Sequence, residues 1–341
     1  MVINISIYSI LLVEEDYMYL LTKVVLAVML GFVSSALFGL IIIPVFKHFH
    51  IGQRINTYVS HRTKEGTPTM GGLIFIVSTL LVTIFLLLTH RIEFSNELKM
   101  VMFVFVSYAF IGFLDDYLSI KRKTNEGLTV IQKLLLQLVI AIIFFYLYMN
   151  NNGQTSLEIA TLGIKIEMKW LYGLFILLIL VGSSNAVNLT DGLDGLAGGL
   201  TAIAMIAFSL ISLTVGYTDM GVFTLVLTGS LLGFLVYNGF PAKVFMGDTG
   251  SLALGAVMGA IAIITHRELT LFIVAFVFVL ETLSVILQVF WYKTFKKRIF
   301  LMTPIHHHFE KLGWNEIEIV RLFWVFGFIF AMAGIIFGVW I

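Results

Sequence analysis

The chain has 341 residues, is 59% hydrophobic and 12% charged, carries a net charge of +1, and has a mean hydropathy of +1.01. A soluble domain holds about 25% charged residues; half that leaves too few to cover a water-facing surface, so the bilayer is the solvent for most of this protein. The lack of cysteine excludes disulfides, thiolate nucleophiles and thiolate zinc sites, and no basic stripe with interleaved aromatics suggests nucleic acid.

The first apolar run, Ile3 to Val13, precedes Glu14, Glu15 and Asp16. It lacks the basic start and cleavage site of a secretory signal and reads as an N-terminal extension over 1–19, interfacial in part. About 20 apolar residues cross a bilayer, and ten such spans follow, near 20–46, 70–89, 99–118, 130–149, 170–187, 195–215, 221–237, 251–264, 270–292 and 319–340. The eighth is short and is expected to tilt, bend or extend into Gly247. The expectation is an all-α, polytopic chain forming one integral membrane domain over 1–341.

Ten spans put both termini on the same side. Of the 21 Lys and Arg, fifteen fall on one side, in the loops around Lys47–Lys64, Lys121–Lys133, Lys243 and Lys293–Arg321. An excess of Lys and Arg marks the cytoplasmic side, which leaves the termini outside. The outer loops read as plain connectors. The inner ones hold all four prolines, the His cluster and every Asp except Asp16 and Asp219.

Asp115 and Asp116 end the third span in Gly112-Phe-Leu-Asp-Asp-Tyr-Leu. Two carboxylates at a helix C-terminus oppose its dipole. They read either as an interfacial pair neutralised by Lys121-Arg-Lys or as a metal ligand plus a general base. Adjacent helix positions diverge by about 100°, so one can face a site while the other orients a lysine.

The strongest signal is Asn185-Ala-Val-Asn-Leu-Thr-Asp-Gly-Leu-Asp-Gly-Leu, where an apolar helix runs into Asn188, Asp191 and Asp194 with no basic residue to pair them. Unpaired carboxylates beside a membrane are expensive, and an N-capping role accounts for only one. Phe245-Met-Gly-Asp-Thr-Gly-Ser-Leu then sets Asp248 before the eighth span. Asp248 or Thr249 could cap that helix. Alternatively, the glycines and free amides cradle phosphate, with a cation between phosphate and Asp248.

Thr303-Pro-Ile-His-His-His-Phe-Glu lies in the longest inner loop. Zinc is conceivable there, but the oxygen-rich surroundings suit magnesium better, so His306, His307 or His308 is read as binding phosphate or assisting proton transfer. Pro68-Thr-Met-Gly-Gly, preceded by Lys64, reads as a phosphate-side loop. Glu281 and Gln288 share a face of the ninth span, as a packed polar pair or a ligand contact. Carboxylates that recruit a hard cation, together with lysines, suit a phosphate-bearing substrate. Their place at the lipid boundary makes one reactant a lipid, so the residues alone point to metal-dependent phosphoryl transfer. A transporter would place ionisable groups near the midplane and show repeated halves; here they sit at span ends.

These motifs, with Thr67-Pro-Thr-Met-Gly-Gly, Phe113-Leu-Asp-Asp-Tyr and Pro304-Ile-His-His-His-Phe-Glu, resemble the polyprenyl-phosphate N-acetylhexosamine-1-phosphate transferase superfamily. The triple-His segment points to its phospho-N-acetylmuramoyl-pentapeptide branch rather than to siblings that use N-acetylglucosamine. The resemblance implies a homodimer, Mg2+, and transfer of phospho-MurNAc-pentapeptide from UDP-MurNAc-pentapeptide to undecaprenyl phosphate, giving lipid I and UMP. It implies Asp248 as the metal ligand, and Asp115 deprotonating or orienting the lipid phosphate with Asp116 and Lys133 in support. Asn188, Asp191 and Asp194 fall on the nucleotide-sugar side, with Phe245 stacking on uracil and Asn238 near the nucleoside. His306 and His307 fall at the diphosphate or sugar, and Thr69 and Gln288 complete the substrate-contacting set. Direct attack is favoured over a covalent aspartyl intermediate, because the lipid phosphate is already an anionic nucleophile.

Overall fold

The computed structural model describes residues 7–49, 66–124, 127–159 and 164–340. Arg54, Arg62 and Lys64 of the first basic loop lie outside the described residues, as do residues 1–6 of the expected extension. In chain order the helices are α1 (Ile7–His48), α2 (Gly72–Leu88), α3 (Asn96–Arg122), α4 (Val130–Asn150), α5 (Trp170–Thr190), α6 (Leu196–Thr214), α7 (Thr218–Asn238), α8 (Gly247–Ile264), α9 (Glu268–Val274), α10 (Phe276–Phe295), α11 (Ile305–Lys311) and α12 (Glu316–Trp340). Among the described residues nine helices are long and apolar enough to cross a membrane. With the 17-residue α2, each of the ten expected spans has its helix.

Four details depart from the sequence expectation. The first helix begins at Ile7 rather than near residue 20, so what read as a separate extension continues α1; its 42 residues reach about 63 Å. The ninth span is broken at Ala275 (φ −92°, ψ 20°) into α9 and α10. No Pro or Gly marks that break; α12 lies against it, with Phe330 stacked on Phe276 at 3.9 Å and Gly334 abutting Val274. The connector between α4 and α5 is an antiparallel hairpin, β1 (Ser156–Ile159) with β2 (Ile164–Glu167), in which Glu158 faces Lys165 and their side chains pair at 2.7 Å. The triple-His segment forms the short helix α11. The eighth span does extend to Gly247.

The buried residues join in one cluster with α8 at its centre, where every residue from Thr249 to Ile264 is buried. Lipid tails are as apolar as leucine, so helices associate in a bilayer by close packing and hydrogen bonds, and small residues mark the contacts. A side chain on Gly112 of α3 would overlap the Asp248 carbonyl, and one on Gly255 of α8 would overlap the Ser183 carbonyl of α5. Gly229 and Gly233 of α7 sit equally tightly on α1. By contrast α4 fully buries only Gln137, Ala141, Phe144 and Tyr148; Ile140, Phe145 and Leu147 are partly buried against the core, and most of its other apolar residues are exposed.

Candidate active site

The end of α3, the starts of α4 and α8 and the end of α5 meet on the basic face. The strap before α2 sets the start of α8. Phe245 N–H donates to the Pro68 carbonyl (2.8 Å), Gly71 N–H to the Phe245 carbonyl (2.8 Å) and Gly72 N–H to the Met246 carbonyl (2.9 Å). Gly72 lies so close to Gly250 that no side chain fits between them. Gly247 then takes φ +73°, a conformation that favours glycine. A β-carbon there would stand 2.6 Å from Asp116 Oδ2 and 2.9 Å from Thr69 Oγ1. Thr69 is buried, and its hydroxyl has no protein partner.

Asp116 caps α8. Its Oδ1 accepts from Asp248 N–H (3.2 Å), and its Oδ2 accepts from Thr249 N–H (3.0 Å) and the Thr249 hydroxyl (2.6 Å). A carboxylate from another helix thus meets the free amides and positive dipole end of α8, where the sequence suggested Asp248 or Thr249 as the cap. Asp248 is left facing the site. Its Oδ1 accepts from Asn188 Nδ2 at 2.7 Å, and Asn188 Nδ2 also donates to Ser251 Oγ at 2.9 Å.

Lys133 bridges the cluster: its ammonium pairs with Asp248 and lies 3.1 Å from Asp115 Oδ1. Asp115 Oδ1 also accepts from Leu128 N–H at 3.0 Å. Lys133 is carried in by the capping box that starts α4, in which Thr129 and Gln132 cap each other's backbone. The divergence read from adjacent positions is realised, but the lysine pairs with Asp115 while Asp116 serves α8.

Asp115, Asp116 and Asp248 offer ligand oxygens within 4.8 Å of one another. This is an all-oxygen, anionic set, which suits magnesium or another hard divalent cation. Asp116 is the most committed to other partners, leaving Asp248 and Asp115 the freer donors. Burial, then the charges of Asp248, Asp116 and Asp194, push Asp191 up to about 7.

The His segment docks on α10. His306 is fully buried, and its Nδ1 lies 3.0 Å from Glu281 Oε1. A carboxylate accepts there, which places a proton on Nδ1. Nε2 has no protein partner and points at Gly192, where any side chain would collide with it; Asp191 is the next residue. His307 Nδ1 is held by Glu310. Glu281 is the residue sequence reasoning undervalued: a carboxylate in an apolar span needs a partner, and that partner is His306, not Gln288.

Three further expected site residues are engaged with the protein itself. Asp194 is buried; its Oδ2 accepts from Ala242 N–H (2.9 Å) and its own N–H donates to Glu316 (2.6 Å). Asn238 is buried, accepting from Gly195 N–H (3.2 Å) and donating to the Val244 carbonyl (3.0 Å). Gln288 holds the backbone of Ile299 and Phe300. Phe245 is partly buried on the loop that Asp194 and Asn238 brace.

The profile described as Glycosyl transferase family 4 matches residues 98–266, from the start of α3 to the end of α8. Residues 64–76, a range that takes in the strap and the start of α2, match the phospho-N-acetylmuramoyl-pentapeptide-transferase signature 1. Curated proteins called phospho-N-acetylmuramoyl-pentapeptide-transferase are similar over nearly the full length. That of Bacillus subtilis (strain 168) is 45% identical over 94% of this chain and 100% of its own. That of Geobacillus sp. (strain WCH70) is 45% identical over 93% and 98%, and that of Shouchella clausii 46% identical over 92% and 96%.

Proposed function

The chain belongs to the phospho-N-acetylmuramoyl-pentapeptide-transferase family, a multi-pass membrane transferase that forms lipid I in peptidoglycan synthesis, and we propose that the Asp115–Lys133–Asp248–Asn188 cluster is its reaction centre. The observation that carries this reading is the lysine clamped between carboxylates of two other helices at the start of a third. Its substrates are UDP-MurNAc-pentapeptide and undecaprenyl phosphate.

An oxygen of the lipid phosphate attacks the sugar-bearing phosphorus of the UDP-sugar. One P–O bond forms, the bond to the nucleotide's phosphate breaks, and UMP leaves. Direct attack is the favoured route. Asp115 orients the lipid phosphate or takes its remaining proton. Lys133 neutralises the phosphoryl oxygens, where charge stabilisation is the main catalytic contribution. Asn188 fixes the rotamer of Asp248. Magnesium held by Asp248, with Asp115 beside it, would supply further charge neutralisation for the diphosphate. His306 Nε2, oriented by Glu281, and His307 face the sugar-diphosphate side with Asp191. Asp194 and Asn238 act at one remove, holding the loop that presents Phe245 to the base. The basic face is cytoplasmic, both termini lie outside, and the enzyme works as a homodimer in the cytoplasmic membrane.

The test is UMP release from UDP-MurNAc-pentapeptide by the full-length protein in detergent, with undecaprenyl phosphate and magnesium each supplied or withheld. Release should need both and should vanish in Asp248→Asn. Consumption of UDP-GlcNAc instead would hand the assignment to the sibling transferases.

A further inference from the structure

α4 is fully buried along one narrow stripe only. Its buried residues, Gln137, Ala141, Phe144 and Tyr148, recur at helical spacing, and Lys133 continues the stripe one turn toward the site. Leu135, Val139, Ile142 and Tyr146 on its other faces are exposed. Because lipid solvates such faces as well as protein does, apolar contact alone fixes the rotation of a membrane helix weakly; interhelical hydrogen bonds fix it better.

Gln137 supplies them. Its Oε1 accepts from Asn185 Nδ2 of α5 at 2.9 Å, and its backbone carbonyl accepts from the Tyr108 hydroxyl of α3 at 3.2 Å. Asn185 is itself steadied by donating to the Val181 carbonyl at 2.8 Å. Each of the three helices carries a site residue nearer the basic face: Asn188 is three residues beyond Asn185, Lys133 four before Gln137, and Asp115 seven beyond Tyr108. The polar tie therefore lies about one turn beneath the cluster on α4 and α5 and about two turns beneath it on α3. Gln137 is 1% exposed, and its Nε2 has no partner. An unsatisfied buried amide costs stability, so stability alone would favour leucine at this position.

We propose that Gln137, through Asn185, is a positioning residue that sets the rotation of α4 and so holds Lys133 between Asp115 and Asp248. The inference rests on the place of Lys133 in the reaction centre. One residue of rotation, about 100°, would swing the ammonium away from both carboxylates.

Gln137→Leu is expected to lower kcat on the order of 10²-fold, the size of effect of a misplaced catalytic group, with KM for the nucleotide substrate little changed. The exchanged pair Gln137→Asn with Asn185→Gln keeps both amides and their combined reach and should restore most of the rate. In a Lys133→Ala background Gln137→Leu should cost nothing more. A readout independent of turnover uses the absence of native cysteine: Lys133→Cys with Asn188→Cys should be joined by a short thiol–thiol cross-linker, and less efficiently once Gln137→Leu is added. Unchanged kcat and cross-linking in a folded Gln137→Leu protein would overturn the proposal. So would an equal fractional loss in the Lys133→Ala background, which marks a merely structural role. Full activity of Lys133→Ala alone would remove Lys133 from the reaction centre and the proposal with it, while cross-linking still reports the rotation of α4.

Discussion

Asp116 and Asp248 are neighbours with opposite relations to stability. Asp116 answers two amides and a hydroxyl at the start of α8, so Asp116→Ala should cost about 2–3 kcal/mol, a lost cap plus unsatisfied buried donors, and take activity with it. Asp248 sits among like charges, whose repulsion offsets its pairing with Lys133 and Asn188, so Asp248→Asn should abolish turnover with little change in the detergent-solubilised melting temperature; a large fall would mean that Asp248 is structural. His266, in the turn between α8 and α9, gives a separate pH signature. Burial holds its imidazole below the ordinary value of 6.5, with Arg267 and Lys165 adding to the effect and Glu158 opposing it. The unfolded chain then binds the proton first, so stability should rise with pH up to about 6.5 and level off above. His266→Asn, which tolerates the φ of +54°, should flatten that acid limb in melts from pH 5 to 8. The aspartate motifs were legible in the sequence because unpaired carboxylates beside a bilayer demand an explanation. The inward roles of Asp194, Asn238 and Gln288 were not, since their partners are backbone groups reached only after folding.

At the scale of elements, the spans were readable because hydropathy reports burial in lipid or protein alike. What it cannot report is which helix is central. α4 and α8 both read as apolar segments, yet one faces lipid and the other is enclosed. The hairpin was missed because two four-residue strands have too little alternation to stand out, and the break at Ala275 because packing against α12, not a breaker residue, makes it. The α3–α8 contact offers a sharp test. Gly112→Ala places a methyl against the Asp248 carbonyl and should separate the two helices, lowering both melting temperature and activity. Gly182→Ala, where nothing lies within 4 Å, should stabilise α5 by about 1 kcal/mol, the helix-propensity difference. Equal effects of the two substitutions in parallel melts and assays would show that close packing at Gly112 does not matter.

At the scale of the whole molecule, the distribution of Lys and Arg fixes an expected sidedness. In the cysteine-free background, Lys165→Cys on the hairpin should react with a membrane-impermeant maleimide on intact cells. Lys297→Cys after α10 should react only once the membrane is opened. The reverse pattern would invert the protein and put its reaction centre on the wrong side for a cytosolic nucleotide substrate.

The enclosure of α8 also bears on how the protein is made. Of the helices packed around it, α2, α3, α5 and α6 precede it in the chain and α9 follows. A ribosome delivering this chain must therefore release most of the wall before the axis exists. The early helices enter the bilayer around a slot, with Asp116 still lacking the amides it will cap and Lys133 still lacking Asp248. The arrival of α8 late in translation consequently brings Asp248 to Lys133 and the waiting amides to Asp116 in one event, before α9 to α12 complete the bundle.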